Sequence, residues 1–304
     1  MYLVIDIGSN TIRAVVFCVE KGEILPVLNK KYSAGLAGYI DKDGMLSGEG
    51  VDLCLDILNE IRITIDAFSF DGVFPFATAS LRNVANSEEV LRAVREETGL
   101  EVTVLSGEEE AYFDYYGAVR GSGQRGGILT DIGGGSTEIV VYSHREPQLT
   151  ESLHIGSLNL YNQFVQGLIP TPDEIKRIQE ETRKHLSRLS VQSTSSSPEV
   201  LCGVGGTARA ALKLYNTIYH IDKKNNVYER CFLKKVLAMK WEEKKLMRYI
   251  LKTAPERIHT LLPGMAILYT VAQHFGTKKI VTSSHGVREG YLRYQLEKEG
   301  VLDA

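Results

Sequence analysis

Apolar positions fall in short blocks. Residues 2–7 and 12–19 are two such blocks, separated by Gly8, Ser9, Asn10 and Thr11, a pattern that predicts strand, turn, strand. Residues 129–142, LTDIGGGSTEIVVY, have the same character around three glycines. A third strand is predicted at 24–29, followed by a glycine-bearing loop at 35–50. Over 51–68 the period lengthens, with Leu55, Leu58, Ile61 and Ile65 on one helical face. Residues 72–78 read as a buried strand ending in TASLR, Ser87 opens a helix, and 102–105 is a short strand. Helices are predicted at 111–119, 158–165 and 173–189, and a strand at 200–204 runs into Gly205, Gly206, Thr207 and a helix through Tyr215. Two more helices, a break at Pro255, a helix at 262–275, a strand at 279–282 and a helix from Arg288 complete the chain. Strands alternating with helices indicate an α/β protein.

The two glycine turns are related. At a constant offset of 125, Asp6 falls on Asp131, Gly8 on Gly133, Thr11 on Ser136, Val16 on Val141 and Phe17 on Tyr142. Such an internal repeat implies two halves of similar fold, each presenting one turn. The polar, glycine-rich stretch at 120–127 is the expected connection between them, and 193–197 is a low-complexity surface loop.

Composition narrows the partners. A net charge of −3 argues against general nucleic-acid binding. Residues 88–110 hold eight acids and two bases, while 213–257 hold twelve bases and five acids; the basic stretch reads as a solvated helical face or a track for an anionic substrate. Cys18, Cys54, Cys202 and Cys231 form no C-x-x-C pair, which fits a reducing cytoplasm rather than a zinc or disulfide framework. The first residues lack signal-peptide character and no apolar run approaches the ~18 residues of a membrane span. A cytoplasmic protein without membrane partners is expected.

Three consecutive glycines, Gly133, Gly134 and Gly135, permit positive φ and let successive N–H groups converge on an anion, with Ser136 and Thr137 adding hydroxyls; a tight hairpin built for steric reasons is the alternative. Asp131 at the mouth suits a hydrated divalent cation beside phosphate oxygens. Gly205, Gly206 and Thr207 open a helix at a third junction suited to an anion. In the acidic run Glu108, Glu109, Glu110, the helix dipole accounts for two glutamates and leaves one for general-base work. His285 stands out at a fourth strand-to-helix turn.

DIGSNTIR at 6–13, ATASLR at 77–82, SGEEEA at 106–111, DIGGGSTE at 131–138, GVGGTA at 203–208, LPGMAIL at 262–268 and HGVREG at 285–290 resemble, in order, the motifs of the exopolyphosphatase and guanosine pentaphosphate phosphohydrolase family. The resemblance implies an actin-like, duplicated α/β fold of two domains, residues 1–121 with 290–304 and residues 122–289, with the active site between them and closure about 119–127 and 287–290. It implies hydrolytic release of the terminal phosphate of inorganic polyphosphate or guanosine pentaphosphate, usually with Mg2+. By position, Glu110 would be the base; like-charge repulsion from Glu108 and Glu109 would raise its pKa and a nearby cation would oppose that. Arg82 would bind the terminal phosphoryl group. Ser9, Asn10, Thr11, Gly133 to Gly135, Ser136 and Gly205 to Thr207 would bind phosphates, and Asp131, Glu138 and Asp6 would lie on the cation side. The family suggests a homodimer. A non-catalytic sensor of guanosine tetraphosphate or polyphosphate and an ATP-dependent kinase are the competing readings. His285 departs from the family pattern, and the chain stops where longer members continue into helical domains, from which a preference for shorter polyphosphates is expected.

Overall fold

The structure, a computed structural model, describes residues 1–119, 124–189, 199–222, 224–238 and 243–303. Residues 120–123 of the expected connection and the whole of 193–197 lie outside the described residues. The chain forms two units, Met1–Phe113 with Arg288–Ala304 and Asp114–Val287.

In the first unit, β1 (Tyr2–Ile7), β2 (Thr11–Glu20) and β3 (Glu23–Ser33) make an antiparallel meander. Helix α1 (Gly48–Ala67) starts where the Ser47 hydroxyl accepts the Gly50 N–H, and buries Cys54, Ile57, Leu58 and Ile61. Strand β4 (Gly72–Ala77) then pairs parallel with β1. The short α2 (Ala79–Arg82) and α3 (Ser87–Thr98) follow, the latter ended by Gly99 at φ 68°. Strand β5 (Thr103–Val104) and α4 (Gly107–Ala118) come next, giving the sheet order β3-β2-β1-β4-β5.

The second unit restates this plan. Strands β6 (Gly126–Ile132), β7 (Thr137–Ser143) and β8 (Glu146–Leu153) form its meander, followed by α5 (Ser157–Phe164) and α6 (Pro172–Leu186). Strand β9 (Val200–Val204) lies parallel to β6 and leads into α7 (Gly205–Tyr219). Strand β10 (Val227–Glu229), α8 (Arg230–Leu237), α9 (Glu243–Thr253), α10 (Leu261–His274) and β11 (Lys279–Thr282) complete the order β10-β11-β9-β6-β7-β8. Helix α10 is apolar on nearly every face and lies inside the core. The last helix, α11 (Val287–Lys298), carries the chain back into the first unit. Among the described residues, no helix is long and apolar enough to cross a membrane.

The repeat extends to details that side chains alone do not show. Ile7 pairs with Ile12 and Ile132 with Thr137, again 125 apart. A register shift falls between Val16 and Phe17 in the first meander and between Val141 and Tyr142 in the second. The extra residue is Val27 on β3 in the first and Gln148 on β8 in the second, and Pro26 and Pro147 are their immediate neighbours on those strands.

Besides the short α2, formed where 79–82 reads as the end of a strand, three strands depart from the sequence reading. Strand β3 runs four residues past the expected Asn29, and β8 and β10 were not expected. All three are edge strands, and β3 and β8 leave most of their residues at least partly exposed, so no alternation marks them. Pairing with a neighbour, rather than local propensity, makes them strands.

Candidate active site

The first turn closes when the Gly8 N–H donates to the Thr11 carbonyl at 3.1 Å. A following 3-10 turn (Leu36–Tyr39) secures its outer side: the Gly35 N–H donates to the Asn10 carbonyl and the Ala37 N–H to the Ser9 carbonyl, both at 3.0 Å. With those carbonyls engaged, the peptide units are fixed in direction. Ser9 is buried, while Asn10 and Thr11 are half-buried. Asp6, expected near a cation, is held in an ion pair by Arg288, Oδ2 to Nη1 at 2.8 Å, with both side chains nearly buried.

Helix α2 is moored to the same turn. The Thr78 N–H donates to the Ile7 carbonyl at 3.3 Å, and the Ser80 hydroxyl donates to the same oxygen. One residue beyond Leu81, Arg82 Nη1 donates to the Leu105 carbonyl at 2.9 Å and to Glu110 Oε2 at 2.8 Å. The two side chains are only 14% and 12% exposed, so this pair lies in a medium of low effective dielectric. Arg82 Nη2 is also buried, and among the described residues it has no hydrogen-bond partner.

The three glutamates separate cleanly. Glu109 caps α4: its carboxylate accepts the Ser106 N–H at 2.8 Å while the Ser106 hydroxyl accepts the Glu109 N–H at 3.1 Å. Glu108 is exposed, and Glu110 alone is buried. The Arg82 guanidinium faces it at 2.8 Å.

In the second unit the Gly133 N–H donates to the Ser136 carbonyl at 3.0 Å, reproducing the first turn. Gly133 does not use the left-handed backbone that a glycine permits; its constraint is the 3.3 Å that a Cβ would have to Ser136 O. The start of α5 takes up the outer side of this turn. The Ser157 N–H and hydroxyl both donate to Gly133 O at 2.9 Å, and the Leu158 and Asn159 N–H groups donate to Gly134 O at 2.9 and 3.1 Å. Asn159 closes the arrangement, its Nδ2 donating to Gly135 O at 3.0 Å and its Oδ1 accepting the Gly156 N–H at 2.6 Å. A Cβ on Gly156 would lie 2.4 Å from Gly134 O, so only glycine allows this approach. Ser136 is buried, while Gly133 to Gly135 are half-buried.

Asp131 and Glu138 stand opposite each other across β6 and β7. Glu138 is fully buried and accepts the Ser152 hydroxyl at 2.8 Å. Asp131 is half-buried and lies against the first residue of α7: a Cβ on Gly205, which has φ 78°, would fall 1.9 Å from its Oδ1. The anion nearest the Gly205 junction is therefore the protein's own carboxylate. Thr207 donates to the Ile132 carbonyl at 2.9 Å, the counterpart of Ser80 on Ile7. A Cβ on Gly206 would fall 1.9 Å from Arg257 Nη2. Burial pulls the Arg257 pKa down, while Glu256 and Asp131 pull it up. Arg257 was missed in the sequence because it follows Pro255 in a stretch where many bases are surface charges. His285 is exposed, its N–H donating to the Ser283 hydroxyl at 3.1 Å.

The family model of the Ppx/GppA phosphatase family matches residues 15–299. The chain belongs to this family. Among its Ppx/GppA relatives, a putative exopolyphosphatase of Haemophilus influenzae is 25% identical over 297 residues, 97% of this chain and 90% of that one. Exopolyphosphatase 1 of Mycobacterium tuberculosis is 28% identical over 215 residues, 69% of this chain and 62% of that protein, so the chain spans under two thirds of that relative. The crystal structure of the Aquifex aeolicus Ppx/GppA member superimposes with a TM-score of 0.80 at 27% identity, covering 98% of both chains. The duplicated pair of sheets is the actin-like fold that the resemblance implied.

Proposed function

We propose that the protein is an exopolyphosphatase that releases the terminal phosphate of inorganic polyphosphate. The observation that carries this reading is the buried Arg82–Glu110 pair, held beside the first turn through the Ile7 carbonyl. Phosphoryl transfer rests on positioning and on neutralising oxygen charge. Arg82 keeps Glu110 and Leu105 on Nη1 and brings its positive charge to the terminal phosphoryl group. Ser9, Asn10 and Thr11 cradle phosphate oxygens in the first unit, and Gly134, Gly135 and Ser136 do so in the second. Glu110 orients a water and takes its proton as the water oxygen bonds to the terminal phosphorus. The bridging P–O bond breaks, leaving inorganic phosphate and a chain one unit shorter.

Mg2+ typically uses one or two carboxylates together with substrate oxygens. Asp131, half-buried beside the Gly205 junction, would hold such a cation; Asp6 is paired with Arg288 and Glu138 accepts from Ser152. Among the described residues no three metal-binding side chains cluster, and substrate oxygens would supply further ligands to a cation held at Asp131. When bound, the cation neutralises phosphate oxygens. The Arg257 guanidinium on the other side of α7's first turn adds a fixed positive charge. Guanosine pentaphosphate presents the same terminal anhydride and is the alternative substrate. Four free thiols accord with a reducing cytoplasm, and the homodimer suggested by the family is checked by light scattering.

Phosphate release from defined-length polyphosphate, guanosine pentaphosphate and ATP, with and without Mg2+, tests this. Release from polyphosphate that requires the cation is expected; no release from polyphosphate sinks the reading. Asn159→Ala removes the clamp behind Gly135 and frees the second turn. It is expected to raise KM for polyphosphate by about tenfold with a smaller change in kcat. An unchanged KM would mean that the turn holds its direction without Asn159.

A further inference from the structure

Strand β3 departs from the polar and apolar alternation of a strand that faces water. Leu25, Pro26, Val27 and Leu28 are consecutive apolar residues, all exposed, on the outermost strand of the first meander. Such a run calls for a cover. The duplicate strand shows that the fold itself does not require it. Aligned on Pro26 and Pro147, Leu25 corresponds to Glu146, Val27 to Gln148 and Leu28 to Leu149. Leu149 packs against its own core, whereas Leu28 is 50% exposed.

The bulge decides which way these side chains face. Leu25 stands opposite Cys18 and Leu28 opposite Val16, two residues on one face of β2, so the extra residue Val27 brings both leucines onto a common face. Glu23, opposite Glu20, and Lys30, opposite Ala14, extend that face at its two ends. Its order is acid, leucine, leucine, base, and all four residues are exposed. Lys30 also reaches Glu60 on α1 at 2.5 Å, and Ile63, three residues further along α1, is 70% exposed. In β8 the positions of Leu25, Leu28 and Lys30 are held by Glu146, Leu149 and Glu151, an acidic face with no such order.

A face ordered acid, leucine, leucine, base is complementary to itself when reversed. Two copies related by a two-fold axis place Glu23 of one against Lys30 of the other, twice, with Leu25 against Leu28 between them. An apolar centre with a charged rim is the anatomy of a protein interface. Pro26 and the bulge keep the two strands from joining into one sheet, so the contact is made by side chains. We propose that this face of β3, with the adjoining outer side of α1, is the surface through which two copies of the chain associate. It names where a homodimer forms and does not depend on the hydrolytic reading.

Sedimentation equilibrium of the whole protein over a range of concentrations is the test. A dimer is expected, and Leu28→Lys, Lys30→Glu and Glu23→Lys are each expected to weaken it by about tenfold or more. Mixing the Lys30→Glu and Glu23→Lys variants is expected to restore association to within about threefold of the unaltered protein, because each acid of one chain then meets a base of the other. A thermal melt checks that the variants fold, as substitutions at exposed positions should. A chain that stays monomeric at every concentration overturns the proposal. So does a dimer indifferent to the three substitutions, which would use another face, and so does a mixture that fails to recover.

Discussion

Glu110→Gln is expected to lower kcat for polyphosphate by about 10²–10⁴-fold, the usual contribution of a general base. The substitution keeps the shape of the side chain and one oxygen to accept from Arg82 Nη1, while Arg82 retains its second anchor on the Leu105 carbonyl. The fold should therefore survive, with a cost of about 1–2 kcal/mol for the weakened charge-assisted bond. KM should change less than kcat, because Arg82 and the two turns remain. Steady-state phosphate release and a thermal melt on the same sample check this. A folded variant with near-normal kcat would remove Glu110 from the chemistry and leave it as the counter-ion of Arg82.

Arg288→Met should have the largest effect on stability. It leaves Asp6 nearly buried without its cation, and breaking one side of such a pair costs about 3–5 kcal/mol. Asp6→Asn combined with Arg288→Met removes both charges and should recover much of that loss, since neither side chain then needs a counter-ion. Urea denaturation of the three variants gives the comparison. Equal destabilisation of the single and double variants would show that the pair contributes through packing rather than charge.

The strands that carry the turns were legible because their apolar blocks are buried on both faces, and the offset of 125 between the turns marks the duplication in the sequence itself. Edge strands were not, because β8 reads EPQLTESL and gains its conformation from β7. At the site, a run of three glutamates leaves their roles open; the Ser106–Glu109 cap and the burial of Glu110 resolve it. Carboxylates posed a harder problem. Asp6 and Asp131 are equivalent in sequence, yet one faces Arg288 and the other the first residue of α7, a difference made by segments far away in the chain. Arg257 lies against Gly206 from a distant segment of the chain, a proximity that no local pattern encodes.

Pro26 and Pro147 each adjoin a bulge on the outermost strand of a meander. Proline offers no N–H to an incoming strand, and a bulge twists the edge away from a flat partner. Both meanders thus end in a margin that is a poor template for strand addition by another chain. A duplicated sheet protein doubles its number of open margins, and here the same guard against aggregation was doubled with them.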